Sequence, residues 1–133
     1  MYLLDSSAWL AHLLGESGME EVTALFAKEE TVISISALSL PEVYTRLKAL
    51  GQETRWSIVW ATYQPLFTQI LAVDVTIAQT AIHLRTITPQ RLPTIDCLIA
   101  ATAAVHGLIL VHRDPHLAAI PTGVLKQIKL PEK

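Results

Sequence analysis

The sequence predicts an α/β fold in which a central, mostly parallel β-sheet lies between two layers of helices. Short apolar or β-branched segments alternate with longer segments of helical periodicity, which is the pattern of strands joined by helical crossovers. The run 108–111 is apolar throughout, as expected for a strand buried on both faces. With 133 residues, 51% of them apolar, we expect one three-layer α/β/α domain over 1–133.

The individual elements follow from the same patterns. Strands are predicted at 2–4, 31–35, 71–75, 108–111 and, at one edge of the sheet, 123–128. Helices are predicted at 6–15, 19–29, 39–50, 53–70, 77–87 and 94–106. The helix at 53–70 has an aromatic stripe that we assign to the core or to a dimer interface: Trp56, Trp60, Tyr63 and Phe67.

Polar residues at the helix starts predict how the helices are capped. Asp5 is an alternative to Ser6 as the cap of the first helix. The predicted caps are Ser6 and Thr94 as single residues, and Ser17 with Glu20 and Ser39 with Glu42 as capping boxes.

Composition limits the class of protein. The formal net charge is −2 and the pI is about 6.2, so a contact with nucleic acid must depend on a local basic patch. The single cysteine, Cys97, excludes an internal disulfide and favours a reducing compartment. The first residues lack the basic region of a signal peptide, and no apolar stretch has the roughly 20 residues that a membrane span needs. We therefore expect a cytoplasmic protein without a membrane segment.

Four carboxylates stand at junctions between strands and helices: Asp5, Glu42, Asp96 and Asp114. In parallel α/β folds, ligands bind at the carboxyl ends of the strands, and this topology allows all four acids to meet there. Two carboxylates about 4 Å apart repel by roughly 4 kcal/mol at an effective dielectric constant near 20. A hard divalent cation with oxygen ligands relieves such repulsion at neutral pH, so we expect a site for Mg²⁺ or Mn²⁺.

Each acid taken alone also fits an ordinary structural role. Asp5 is placed to cap a helix, and Asp96 lies in a first helical turn, where it is favourable against the helix dipole. Glu42 has the spacing of a capping box with Ser39, and Asp114 precedes a proline in a possible turn. The prediction of a metal site therefore depends on the joint placement of the four acids.

Three segments carry a resemblance to a known family. They are YLLDSSAWL with Asp5 and Ser7, ISALSLPEVYTRL with Glu42, and RLPTIDCLIAATAAVHGLILVHRDPHL with Asp96 and Asp114. In order, spacing and flanking residue types they resemble a PIN-domain protein of the VapC type, the toxin ribonuclease of toxin–antitoxin pairs. The resemblance runs over nearly the whole chain and implies a single PIN-like domain.

The resemblance implies an endoribonuclease that hydrolyses RNA phosphodiester bonds with Mg²⁺ or Mn²⁺. In this interpretation Asp5, Asp96 and Asp114 hold the metal ion, and Glu42 completes the cluster or orients the attacking water. Ser7 would hydrogen-bond a metal-bound water or a phosphate oxygen. The basic residues expected to contact RNA are Arg85, Arg91 and Arg113.

The resemblance further implies a small antitoxin protein as partner, and a homodimer. Two residues depart from the family pattern. His112 stands where the family often has Thr or Ser, which can alter a hydrogen bond near Asp114, and His116 stands where some members have a further acid. A second metal position is therefore open.

Three other classes of protein remain as alternatives. The first is a degenerate PIN domain that binds nucleic acid or a protein without cleavage. The second is another phosphotransfer domain with an acid cluster, although a phosphatase of the Asp-x-Asp type would have an acid where Ser7 stands. The third is a structural α/β module whose acids are all caps, in which case their pKa values stay low.

Overall fold

The computed structural model describes residues 1–132 and shows a parallel five-stranded sheet with helices on both faces. The strands are β1 (Tyr2–Leu4), β2 (Ile33–Ser36), β3 (Gln69–Leu71), β4 (Ile109–His112) and β5 (Gln127–Lys129). The helices are α1 (Ser6–Leu14), α2 (Met19–Ala27), α3 (Ser39–Ala49), α4 (Trp56–Tyr63), α5 (Val75–Ile87), α6 (Thr94–His106) and α7 (Pro115–Ala118). The predicted α/β fold is confirmed.

Two hydrophobic clusters lie on opposite faces of the sheet. Because successive side chains of a strand point to opposite faces, neighbouring residues of one strand belong to different clusters. Leu3 of β1 packs with α5 and α6, whereas Leu4 packs with α1, α3 and α4. In β4, Leu110 belongs to the same cluster as Leu3, and Val111 belongs to the same cluster as Leu4. None of the helices within residues 1–132 is both long and apolar enough to span a membrane.

The order of the strands creates a crevice beside β1. Across the sheet the order is β3-β2-β1-β4-β5, and all neighbouring strands are parallel. Strands β2 and β3 lie on one side of β1, and the chain then crosses to form β4 and β5 on the other side of β1. Ligands in such folds bind at the carboxyl ends of the strands where the order reverses, which here is between β1 and β4.

The prediction of a single long helix at 53–70 is wrong. Short 3₁₀ turns at Glu53–Arg55 and Gln64–Leu66 bracket α4, and the chain then extends into β3. Pro65 lies in the second of these turns, and a proline lacks the N–H and has the ring clash that prevent an α-helix from continuing. The aromatic stripe nevertheless packs in the core, because Tyr63 and Phe67 are buried and contact Trp9.

Several strand bounds also differ from those predicted. The strand predicted at 71–75 is β3, which ends at Leu71, because Asp74 is the cap of α5 and accepts a hydrogen bond from the Ile77 amide. The edge strand predicted at 123–128 is limited to β5. Strand β2 begins two residues later than predicted, at Ile33.

The predicted caps are mostly wrong. Asp5, not Ser6, caps α1, and Pro93, not Thr94, precedes α6. The capping box of Ser17 and Glu20 does not form, because Gly18 occupies the cap position of α2 with a φ of 100°. The capping box of Ser39 and Glu42 does not form either, since Leu38 precedes α3 and the two polar side chains lie beside the Ser6 hydroxyl instead.

Candidate metal centre

Asp5 lies at the carboxyl end of β1 and is 4% exposed. Its Oδ1 accepts hydrogen bonds from the Ala8 amide at 2.8 Å and from the Ser7 hydroxyl at 2.7 Å. Burial raises the pKa of Asp5 to about 7; the two hydrogen bonds lower it, and the charges of Asp96 and Asp114 raise it further. A carboxylate that only caps a helix keeps a low pKa. The raised pKa of Asp5 therefore means that burial disfavours the ionised form of this side chain.

Asp96 lies in the first turn of α6 and faces two other acids. Burial raises its pKa to about 6, and the charges of Asp114 and Glu42 add to the effect. A side-chain hydrogen bond with Asp114 raises the pKa further, because such a bond needs a proton, whereas the charge of His116 lowers it. Asp96 therefore interacts electrostatically with the acids that follow β4 and begin α3.

Asp114 follows β4 and is held by two histidines. Its backbone amide donates to Nδ1 of His112 at 3.0 Å. Its Oδ1 accepts a hydrogen bond from the His116 amide at 2.9 Å and lies 2.9 Å from the His116 Nδ1, so that it also caps the short helix α7. The backbone amide and the imidazole Nδ1 of His116 therefore both contact the Oδ1 of Asp114.

Glu42 is on α3, and its Oε1 accepts a hydrogen bond of 2.5 Å from the Ser6 hydroxyl. The Ser6 Oγ also lies 3.0 Å from the hydroxyl of the buried Ser39. These contacts join the start of α1 to the start of α3. Ser6 and Ser39 are both predicted as helix caps, and no local pattern signals a contact between residues separated by 33 positions.

All four predicted acids lie at the carboxyl edge of the sheet, around the crevice between β1 and β4. Their carboxylate oxygens are the donors that Mg²⁺ and Mn²⁺ prefer, and a cation among them would offset their mutual repulsion. Within residues 1–132, however, no three such side chains are arranged as a ready coordination shell. The donor chemistry fits a hard divalent cation, while local hydrogen bonds hold the carboxylates of Asp5, Glu42 and Asp114.

Ser7 connects the two strand ends that border the crevice. Its hydroxyl donates to Asp5 and accepts a hydrogen bond of 2.9 Å from the Arg113 amide. One side chain therefore fixes the Asp5 carboxylate relative to the backbone that leads into Asp114. This role is structural and does not require contact with a metal or with a substrate.

The three predicted basic residues differ in their surroundings. The Arg113 side chain is only 13% exposed. Its guanidinium forms a 2.9 Å ion pair with Glu16 and donates to the Ser17 carbonyl, so it is directed to the turn between α1 and α2. Arg85 donates to the Thr94 hydroxyl at the start of α6. Arg91 is exposed in the loop before α6. Arg85 therefore contacts the first turn of α6, which carries Asp96, whereas the Arg113 guanidinium is held by Glu16 and Ser17.

These features define a parallel α/β domain with an acidic crevice at the point where the strand order reverses. The model of the PIN domain family matches residues 2–122. The chain therefore belongs to the PIN domain family.

Solved structures are similar to the chain over nearly its full length. A toxin–antitoxin complex from Klebsiella pneumoniae contains a chain with 26% identity and a TM-score of 0.71, with 97% of each chain covered. FitAcB from Neisseria gonorrhoeae has 22% identity and a TM-score of 0.76, also with 97% of each chain covered. VapC20 from Mycobacterium tuberculosis, a toxin that cleaves the sarcin–ricin loop, has 19% identity and a TM-score of 0.71, covering 90% of this chain and 94% of that one. Among curated proteins, none matches the chain.

Proposed function

We propose that the chain is a Mg²⁺- or Mn²⁺-dependent endoribonuclease and the toxin component of a VapBC-type pair. The observation that carries the proposal is the acidic crevice, in which Asp5 and Asp96 have pKa values raised to about 7 and about 6. A fold that keeps such unfavourable charges together supports a function for them. The similarity to chains from toxin–antitoxin systems, including a toxin that cleaves the sarcin–ricin loop, supports the reaction class.

Asp5, Asp96 and Asp114 are the residues that would hold the metal ion, with Glu42 beside them. When bound, a divalent cation lowers the pKa of water and stabilises the charge that develops on the phosphate. Ser7 fixes the Asp5 carboxylate, and Ser6 fixes that of Glu42. In this proposal Glu42 would orient a water molecule for attack, and Arg85 and Arg91 are the candidates to bind the RNA backbone.

The proposal includes two protein partners and a compartment. The similarity to chains from toxin–antitoxin complexes supports a small antitoxin that neutralises this chain. Apolar side chains outside the core, such as Ile58 on α4 and Leu66 after it, offer area for an antitoxin or for a second copy in a homodimer. With cellular RNA as the substrate, the proposed site of action is the cytoplasm.

RNA cleavage by the purified chain is the test of this proposal. A mixed pool of structured RNAs is incubated with Mn²⁺, with Mg²⁺ and with EDTA, and the cut sites are mapped. We expect cuts with either metal and none with EDTA, and a loss of at least about 100-fold in rate for Asp96→Asn, since even residues behind metal ligands contribute about 10–100-fold.

The matched control is Asp74→Asn, which makes the same change of charge at the cap of α5. Asparagine can still accept the hydrogen bond from the Ile77 amide, so we expect this variant to cleave like the wild type. No cleavage of any RNA together with no binding of Mn²⁺ would favour the degenerate PIN domain. Cleavage that persists in EDTA or in Asp96→Asn would refute the metal mechanism.

A further inference from the structure

His112 is the last residue of β4, it is fully buried, and both of its ring nitrogens have a partner. Nδ1 lies 3.0 Å from the Asp114 amide, and Nε2 lies 2.7 Å from Oε1 of Gln127. A backbone amide can only donate, so Nδ1 must be the acceptor and carries no proton. The proton is therefore on Nε2 and is donated to Gln127, which fixes one neutral tautomer.

Gln127 is the first residue of β5 and is itself oriented. Its Nε2 donates to the Ile120 carbonyl at 3.3 Å, which assigns its oxygen to the side of His112. The backbone of His112 is also held at the end of β5, because its carbonyl accepts a hydrogen bond from the amide of Leu130, the residue that follows β5. The imidazole thus forms a bridge from β5, at the edge of the sheet, to the turn that carries Asp114.

We propose that His112, oriented by Gln127, is a positioning residue that fixes the Asp114 carboxylate for metal binding. The bond from the Asp114 amide to a side chain two residues earlier has the geometry of the turns that Asn, Asp, Ser and Thr stabilise. Without that acceptor, the amide loses its partner and the chain between β4 and α7 can change direction. The inference rests on the proposed function, because it assigns Asp114 as a metal ligand.

Substitutions at His112 separate the hydrogen bond from packing. We expect His112→Leu, which fills the space without an acceptor, to weaken Mn²⁺ binding by about 10–100-fold, the range for residues that orient metal ligands. The value of kcat should fall with it, whereas KM for RNA should change little, because Arg85 and Arg91 remain in place. Isothermal titration with Mn²⁺ and steady-state cleavage give the two readouts.

His112→Asn is the rescue variant. Its Oδ1 can accept the Asp114 amide as Nδ1 does, although it does not reach Gln127. We expect Mn²⁺ affinity to recover to within about tenfold of wild type, and Gln127→Met, which leaves the ring in place without its acceptor, to show an intermediate loss. Asparagine that binds Mn²⁺ no better than leucine would overturn the positioning role, and so would wild-type affinity in His112→Leu.

A spectroscopic arm distinguishes failure of this inference from failure of the proposed function. In the ¹⁵N spectrum of the imidazoles, we expect the His112 ring of the wild type as the neutral tautomer with its proton on Nε2. That tautomer in a chain that neither binds Mn²⁺ nor cleaves RNA would refute the proposed function, and the positioning role with it. An active, Mn²⁺-binding chain whose His112 is charged or has its proton on Nδ1 would refute the positioning role alone.

Discussion

Asp5→Asn is expected to abolish metal-dependent RNA cleavage while making the metal-free protein more stable. Asparagine keeps an oxygen for the Ala8 amide, so the cap of α1 is retained. It removes a charge that burial disfavours, since the pKa of Asp5 is raised from 3.8 to about 7. At about 1.4 kcal/mol for each pKa unit, that difference corresponds to a gain of up to about 4 kcal/mol above pH 7.

The opposite effects on activity and stability make this variant informative. Urea unfolding at pH 8 in EDTA measures the free energy of unfolding, and cleavage with Mn²⁺ measures activity, which we expect to fall at least about 100-fold. Asp74→Asn serves again as the charge-matched control and should change neither quantity. A variant that is less stable than the wild type under these conditions would show that the Asp5 charge is structurally useful, contrary to the proposal.

Stability without metal is expected to decrease as the pH rises from about 4 to about 7. The folded-state pKa of Asp5 is raised above its unfolded value, so the folded chain binds more protons than the unfolded chain within this window. The free energy of unfolding then falls with increasing pH, and Asp96, with its pKa raised to about 6, contributes in the same direction. Two histidines act oppositely, since burial lowers the pKa of His12 and of His112.

The contribution of Asp5 is isolated by the difference between the wild type and Asp5→Asn. Thermal unfolding in EDTA from pH 4.5 to pH 8 should show the wild type losing stability relative to the variant. Saturating Mn²⁺ should stabilise the wild type more at pH 8 than at pH 5, because protons compete with the metal ion for the carboxylates. A difference that does not vary with pH would mean that Asp5 is ionised in the folded state throughout this range.

The edge at which the acids meet could be predicted because it depends on short-range patterns. Apolar runs mark β1 and β4, and the polar residue that follows each parallel strand must lie at the same edge. Pro65 is the local signal that ends the predicted helix at 53–70, whereas the aromatic periodicity continues past it to Phe67. The aromatic periodicity correctly predicts which face of this segment is buried, but it predicts a helix longer than α4.

The contacts that hold the acids could not be predicted in the same way. Arg113 pairs with Glu16 across 97 positions, and Ser6 reaches Glu42 across 36. Nothing local in the sequence distinguishes a serine that caps a helix from one that binds a distant carboxylate. His112 is similar, because its role as acceptor for the Asp114 amide depends on Gln127 from β5. That role suggests why a histidine can stand where Thr or Ser is frequent in the family.

The most direct test of the account is anomalous diffraction from a crystal of the wild-type protein soaked in Mn²⁺ at pH 8. We expect a manganese peak in the crevice between β1 and β4, with oxygen ligands from Asp5, Asp96 and Asp114 and with Glu42 beside it. No peak at the acids, or a peak only at some other site in a protein that cleaves RNA, would contradict the central claim.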